Sequence, residues 1–260
     1  MQENPYTFGD NNLASLRLRK LAALYEPETI WLLRRSPVVR PRLACDLGCG
    51  PGWSTRLLKR VLAPKRTIGL DASESFIAAA AHEPIEDLEF AVWDVTRTPF
   101  PVSSPNVLLC RFLLTHLRSP QEVLASWRSV VSSGALLLIH ENESLEADHQ
   151  ELRRYYELVG QLQKQYGQDL RIGESLPVHL AHAGWKVIVN DSPILEKPVR
   201  LMAELHLANI RTWRHDRFAS ELFDTAEIRE LENALEKLAS RPQSSGNVSN
   251  RARQIVAVAD

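Results

Sequence analysis

An apolar run, Leu43-Ala-Cys-Asp-Leu47, leads into a turn with three alternating glycines, Gly48, Gly50 and Gly52, before Trp53-Ser-Thr55 opens what reads as a helix. Glycine permits dihedrals that other residues avoid and removes side chains that would hold a ligand off the backbone. Amides at the following helix N-terminus can then face polar groups of that ligand. The segment is expected to be an elbow that seats a cofactor at the end of a strand.

The rest of the chain extends this pattern. Apolar runs at 42–46, 66–70, 88–93, 106–110 and 135–140 have strand length, and most of the segments between them read as helices. Ser73 with Glu74 opens one helix, and Ser119-Pro-Gln-Glu122 opens another as a capping box with proline at its first position. Upstream, Leu13, Leu16, Leu21, Leu24 and Tyr25 fall mainly at helical spacing, so one or two helices precede the first strand. After Ser144 the alternation gives way to helical segments at 145–183 and 199–239, strands at 185–189 and 254–258, and a loop-like stretch at 241–250.

Strand and helix alternation implies a parallel sheet covered on both faces and entered by right-handed crossovers. The expected fold is α/β: a doubly wound, mostly parallel, seven-stranded Rossmann-like sheet. An N-terminal helical lid and helical insertions before the last two strands complete it. One domain is expected over 1–260, with a helical cap at 1–40, a cofactor-binding core at 41–145 and acceptor-side helices with the last strands at 146–260.

Composition narrows the partners. With 24% charged residues, a net charge of -1 and no long block of one sign, an electrostatic grip on nucleic acid is not expected. No run of about 18 apolar residues is present, and the N-terminus lacks a basic then apolar order, so a cytoplasmic protein without a membrane partner is expected. Cys45, Cys49 and Cys110 are expected to be reduced and packed as small hydrophobes. His179 and His182 are spaced i, i+3 without a third ligand nearby, so no metal site is expected.

Three strand ends deliver acids. Asp71, in Gly69-Leu-Asp-Ala-Ser73, can accept both hydroxyls of a ribose. Asp94, in Phe90-Ala-Val-Trp-Asp-Val95, can accept from an adenine amino group while the Val95 amide serves a ring nitrogen. Asp46 can orient the glycine loop and face a positive part of the ligand. Each also has a plainer reading, as a turn or helix cap.

Together, DLGCGPG, GLDAS and the aromatic-flanked WDV resemble the class I S-adenosylmethionine-dependent methyltransferases over roughly residues 40–145. The resemblance implies that Gly48, Cys49 and Gly50 contact the methionine part of the cofactor, Asp71 and Ala72 the ribose, and Asp94 and Val95 the adenine. It also implies that Arg111, Phe112 and His116 line the methyl-donor side. Tyr6-Thr-Phe-Gly-Asp10, with Arg17 and Leu18, resembles the N-terminal segment of a subgroup acting largely on small molecules, and places Tyr6, Phe8 and Arg17 over the cofactor.

The expected reaction is methyl transfer from S-adenosylmethionine to O, N or C of a small-molecule acceptor, possible in secondary metabolism, by a monomer or homodimer. S-Adenosylhomocysteine is the product. His116, His140 and Glu141 are the candidate general bases, the last two because they end the fifth apolar run. The stretch Leu205–His215 is a candidate acceptor pocket, and Tyr155 and Tyr156 read as core. The alternatives are an NAD(P)-dependent oxidoreductase and a methyltransferase-like binding protein without turnover. Against the first, the dinucleotide fingerprint wants G-x-G-x-x-G, and Trp53 follows Gly52 where close helix packing is needed.

Overall fold

A computed structural model describes residues 12–241 and 246–260. Its strands are β1 (Leu43–Leu47), β2 (Arg66–Asp71), β3 (Leu88–Val92), β4 (Val107–Arg111), β5 (Leu136–Ala147), β6 (Trp185–Asp191), β7 (Ile194–Pro198) and β8 (Asn247–Ala259). They form one sheet in the order β3-β2-β1-β4-β5-β8-β6, with β7 also paired to β8. β1 to β5 are parallel, and β8 runs antiparallel to β5, β6 and β7. Strand order reverses between β1 and β4, and open α/β sheets bind ligands beyond the strand ends at such a point.

The helices are α1 (Asn12–Leu24), α2 (Glu26–Arg34), α3 (Trp53–Leu62), α4 (Glu74–Ala81), α5 (Pro120–Ser129), α6 (Gln150–Gln165), α7 (Leu176–His182), α8 (Val199–Trp213), α9 (Arg217–Leu222) and α10 (Thr225–Ser240). Alternating strand residues serve opposite faces. Leu43, Cys45 and Leu47 join the core that holds Trp127 of α5 and Leu180 of α7. Ala44 joins Leu32 and Leu33 of α2 and Leu57, Leu58 and Leu62 of α3. A third cluster unites α6, α8, α9 and α10 with Val248 of β8.

Several sequence expectations shift. The predicted helical stretch 199–239 is three helices, because Asp216 and Asp224 cap new starts by accepting from the Phe218 and Ala226 amides. Ser73 caps α4 through the Phe76 amide, whereas Ser119 makes no side-chain cap and Pro120 alone sets the start of α5. β7 adds an eighth strand to the seven expected. Residues 247–250, read as loop, belong to β8.

β5 also runs to Ala147, past its expected end at 140. Its outer half stays paired to β8 across a register shift between Asn142 and Ser144. The polar residues there are matched pairwise: Asn250 Nδ2 donates to Asn142 Oδ1 at 2.8 Å, and Arg253 pairs with Glu143 at 2.7 Å. On this ribbon Lys197 of β7 reaches Glu28 of α2 at 2.8 Å, a largely buried pair tying the N-terminal helices to the far strands.

Cys45, Cys49 and Cys110 are buried and free. Among the described residues no helix is long and apolar enough to cross a membrane, and no cluster of metal-ligating side chains occurs.

Candidate functional site

A cavity of about 980 Å³ opens beyond the ends of β1, β2 and β4, under α1 and α8. Its volume is at the upper end for small-molecule sites, roughly 300–1,000 Å³. Gly48, Cys49 and Gly50 form one wall, and Arg17, Leu18 and Leu21 of α1 face them.

The glycine loop is held by its backbone: the Gly48 and Cys49 amides donate to the Leu70 carbonyl at 2.8 and 3.0 Å. All three glycines have positive φ, at 68°, 52° and 82°. A Cβ on Gly48 would fall 2.7 Å from Leu113, and one on Gly52 would fall 2.6 Å from Phe90. Trp53 does not obstruct this packing, as its sequence position had suggested. It is 40% exposed, lines the cavity and lies under the Arg19 guanidinium at 5.6 Å, while Gly52 provides the close approach. The G-x-G-x-G spacing still separates the loop from a dinucleotide fingerprint.

Asp71, at the end of β2, accepts from the Gly50 amide at 2.8 Å and the Ser73 amide at 2.9 Å. Each carboxylate oxygen retains acceptor capacity for a ligand hydroxyl. Ala72 lines the cavity beside it. Asp94 accepts from the Thr96 amide at 3.0 Å and hydroxyl at 2.6 Å, pairs with Arg97 at 3.2 Å, and stands half-exposed at the cavity rim. Val95 is fixed by Trp127, whose indole donates to its carbonyl at 2.8 Å.

Asp46 lies behind the cavity wall. The Ser54 and Thr55 hydroxyls each donate to its Oδ2 at 2.7 Å, and Oδ1 has no partner among the described residues. Burial pushes its carboxyl up to about 6, against the pull of those hydroxyls and of Arg111.

Arg111 ends β4 and lines the cavity, with its guanidinium near the Thr29 hydroxyl (3.3 Å) and the Leu21 carbonyl (3.4 Å). Burial lowers it to about 10, opposed by Asp46, Tyr25, Glu28 and Glu141. Phe112 follows with φ of 50°, a conformation that costs a non-glycine residue about 1–3 kcal/mol and here turns the chain into the cavity floor. His116 lies on the 3-10 turn Leu114–His116 and lines the cavity. Burial, then the nearby Arg17 charge, hold its imidazole down to about 3, so it is neutral.

His140 and Glu141, expected at a strand end facing the cleft, are not among the cavity-lining residues. Both are fully buried in the middle of β5, because that strand continues to Ala147. Glu141 Oε1 accepts from the Leu113 and Leu114 amides, both at 2.7 Å. It therefore holds the loop that carries His116. His140 packs against Phe112 and Tyr25, with ring centroids at 4.9 and 5.9 Å, and burial holds it neutral.

The opposite wall comes from α6 and α8. Tyr156 and His206 are hydrogen-bonded at 3.0 Å, Asn209 Nδ2 donates to the Tyr155 hydroxyl at 2.8 Å, and the Tyr155 and His206 rings stack at 4.2 Å. Tyr155 and Tyr156 are buried in the helical core cluster, as expected, and also line the cavity, while His206 and Asn209 come from the candidate stretch Leu205–His215. Tyr25, at the α1–α2 junction, lines the cavity unforeseen. The i, i+4 spacing from Tyr155 to Val159 and from Met202 to His206 gives each helix a cavity-facing stripe, a signal shared with any core helix. Tyr6 and Phe8 lie outside the described residues.

The comparisons with known proteins agree with this geometry. A family described as a methyltransferase domain matches residues 45–139. The trans-aconitate 2-methyltransferase of Methylobacterium radiotolerans is 32% identical over 123 residues, 47% of this chain and 46% of that protein. The chain thus spans about half the length of the curated relatives it matches. A chain of the complex containing the Haloferax volcanii Trm112 methyltransferase activator superposes with a TM-score of 0.62 at 19% identity, covering 98% of this chain and 97% of that one. The [4+2]-cyclase SpnF superposes at 0.56 and 15%, covering 90% and 80%.

Fold and glycine–acid site together define the class I S-adenosylmethionine-dependent methyltransferases. Residues 45–139 of this chain match a methyltransferase domain.

Proposed function

We propose that the chain transfers the methyl group of S-adenosylmethionine to O, N or C of a small-molecule acceptor, as a cytoplasmic monomer or homodimer. One observation carries the reading: a single cavity joins the glycine loop, Asp71 and Asp94 at one end to the Tyr155, Tyr156, His206 and Asn209 wall at the other. The matched family and the trans-aconitate 2-methyltransferases support the donor half, and the fold alone does not name the reaction, since a cyclase shares it.

The chain's residues fit the group. Asp71 would take the ribose hydroxyls, Asp94 and Val95 the adenine, and the Gly48–Gly50 backbone the methionine part. When bound, S-adenosylmethionine supplies an electrophilic methyl on a sulfonium. The protein's contribution is alignment and exclusion of water: α1 covers the glycine loop, and α8 covers the acceptor side. His116, neutral and on the cavity wall, is the remaining candidate from the three proposed bases. Its weak basicity suits an acceptor whose proton becomes acidic only as the new bond forms.

Isothermal calorimetry tests the reading directly. S-Adenosylhomocysteine is expected to bind, and NADPH is not; the reverse result would assign the elbow to a dinucleotide. With an acceptor in hand, single-turnover methyl transfer by His116→Ala under saturating cofactor is expected to slow by about 10²-fold, the low end for a general base. A normal rate removes His116 from the chemistry.

A further inference from the structure

The acceptor end of the cavity has a composition that bears on what it takes. Tyr25, Phe112, Tyr155, Tyr156 and His206 supply ring surfaces, and Leu145, Val159, Met202 and Leu205 supply aliphatic ones. Apart from Arg17 and Arg111, its polar groups are neutral: phenols, the amides of Asn142, Gln163 and Asn209, and the imidazoles of His116 and His206.

Charge is scarce there. Among the described lining residues the cations are Arg17, Arg97 and Arg111. Arg97 is paired with Asp94 at the donor rim. Arg111 is attracted to Asp46 and Glu28 behind the wall, and its guanidinium already meets the Thr29 hydroxyl and the Leu21 carbonyl. A polycarboxylate would bring several charges to a wall with these few cations, and burying unpaired anions costs several kcal/mol each. A ring with a hydroxyl meets the opposite conditions. Its apolar surface replaces water against the rings, and its hydroxyl can exchange a hydrogen bond with the Tyr155 and Tyr156 phenols, which Asn209 and His206 hold in place.

We infer that the acceptor of this methyl transfer is a neutral, ring-bearing hydroxyl compound, selected by the Tyr156–His206 pair, and not a polycarboxylate of the kind the trans-aconitate 2-methyltransferases are named for. The inference rests on the proposed methyl transfer for its donor, and on the α6–α8 wall for its acceptor.

The test uses 2-naphthol and trans-aconitate as probes on the full-length protein. Calorimetry with S-adenosylhomocysteine comes first; failure there defeats the proposed function and not the acceptor class. On the protein saturated with it, 2-naphthol is expected to bind at least about tenfold more tightly than trans-aconitate, a difference of about 1.4 kcal/mol. Tighter binding of trans-aconitate, or binding of neither probe, overturns the inference.

Tyr156→Phe keeps the ring and removes the hydroxyl, and is expected to weaken 2-naphthol about tenfold while leaving S-adenosylhomocysteine affinity within about twofold. Unchanged naphthol affinity would overturn the role of the pair. Should that variant fail to bind S-adenosylhomocysteine, His206→Asn poses the same question from the other partner, with the same reading of its outcome.

Discussion

Residues 41–145 and residues 146–260 build the two ends of one cavity by different means. The donor end is made mostly of backbone: glycines with positive φ, amides that donate to Leu70, and acids at consecutive strand ends. The acceptor end is made mostly of side chains, chiefly those on α6 and α8, whose helical cluster also includes Val248 of β8. Backbone geometry constrains residue type at fixed spacing, and the family match, over residues 45–139, lies within the backbone-built half. A side-chain wall can change its chemistry without changing the fold.

The harshest way to break this comparison is to spoil the backbone half. Gly48→Val would place a branched side chain where φ is 68° and a Cβ already falls 2.7 Å from Leu113. Strain and overpacking each cost about 1–3 kcal/mol, so a stability loss of about 2–6 kcal/mol is expected. S-Adenosylhomocysteine binding should vanish from calorimetry. Retained binding would mean that the loop's backbone does not make the donor site.

The next largest effect separates a positioning role from a chemical one. Glu141→Ala leaves the Leu113 and Leu114 amides without their acceptor, at a cost of about 1–3 kcal/mol each. Glu141→Gln keeps an acceptor oxygen and should remain within about 1 kcal/mol of the parent, with methyl transfer retained. Loss of turnover in the glutamine variant would return Glu141 to the list of bases.

The pH dependence follows from the same burial. The folded Glu141 carboxyl is pushed up to about 8, above its unfolded value of about 4.3, so the folded state holds a proton that the unfolded state releases. Its stabilisation is fully present below pH of about 4.3 and is lost as pH rises toward 8. Melting temperatures should therefore decline across that window and decline less in Glu141→Gln. The Asp46 contribution, in the same direction up to about pH 6, persists in both proteins.

The two halves also differ in how much the sequence disclosed. The glycine elbow, Asp71, Asp94 and Arg111–His116 come together at the cavity, and the signal for that placement lies in spacing along one stretch of chain. His140 and Glu141 were misread because Glu141-Asn-Glu-Ser144 looks like the start of a loop. Asn142 and Glu143 are instead partnered within a strand by Asn250 and Arg253, more than 100 residues away. β7 was hidden by Pro193 before it, Pro198 at its end and the charged Glu196-Lys197 within it. The Tyr156–His206 contact spans 50 residues, and nothing local distinguishes it from two buried helix faces.

Within the donor half the acids should rank by burial and engagement. Asp71→Asn removes the charge beside the glycine loop and is expected to weaken S-adenosylhomocysteine by about 10–100-fold, or about 1.4–2.7 kcal/mol. Asp94, half-exposed and already paired with Arg97, should cost only a few-fold on the same substitution. Equal losses would show that rim and floor contribute alike, and that partial exposure does not weaken the adenine contact.

The smallest expected effect tests whether the halves are coupled. Lys20 of α1, on the donor side, reaches Glu204 of α8, on the acceptor side, at 2.9 Å, and about half of the lysine side chain is exposed. Exposed pairs are worth about 0.2–1 kcal/mol, and Glu204 also engages Arg200 on its own helix, which lowers its dependence on Lys20. A double-mutant cycle of Lys20→Ala and Glu204→Ala should give a coupling energy below about 0.5 kcal/mol that fades with added salt. Donor affinity should stay within about twofold. A larger, salt-resistant coupling that also shifted donor affinity would mean that α1 and α8 close over the cavity as one unit, and that the acceptor wall has a share in holding the donor.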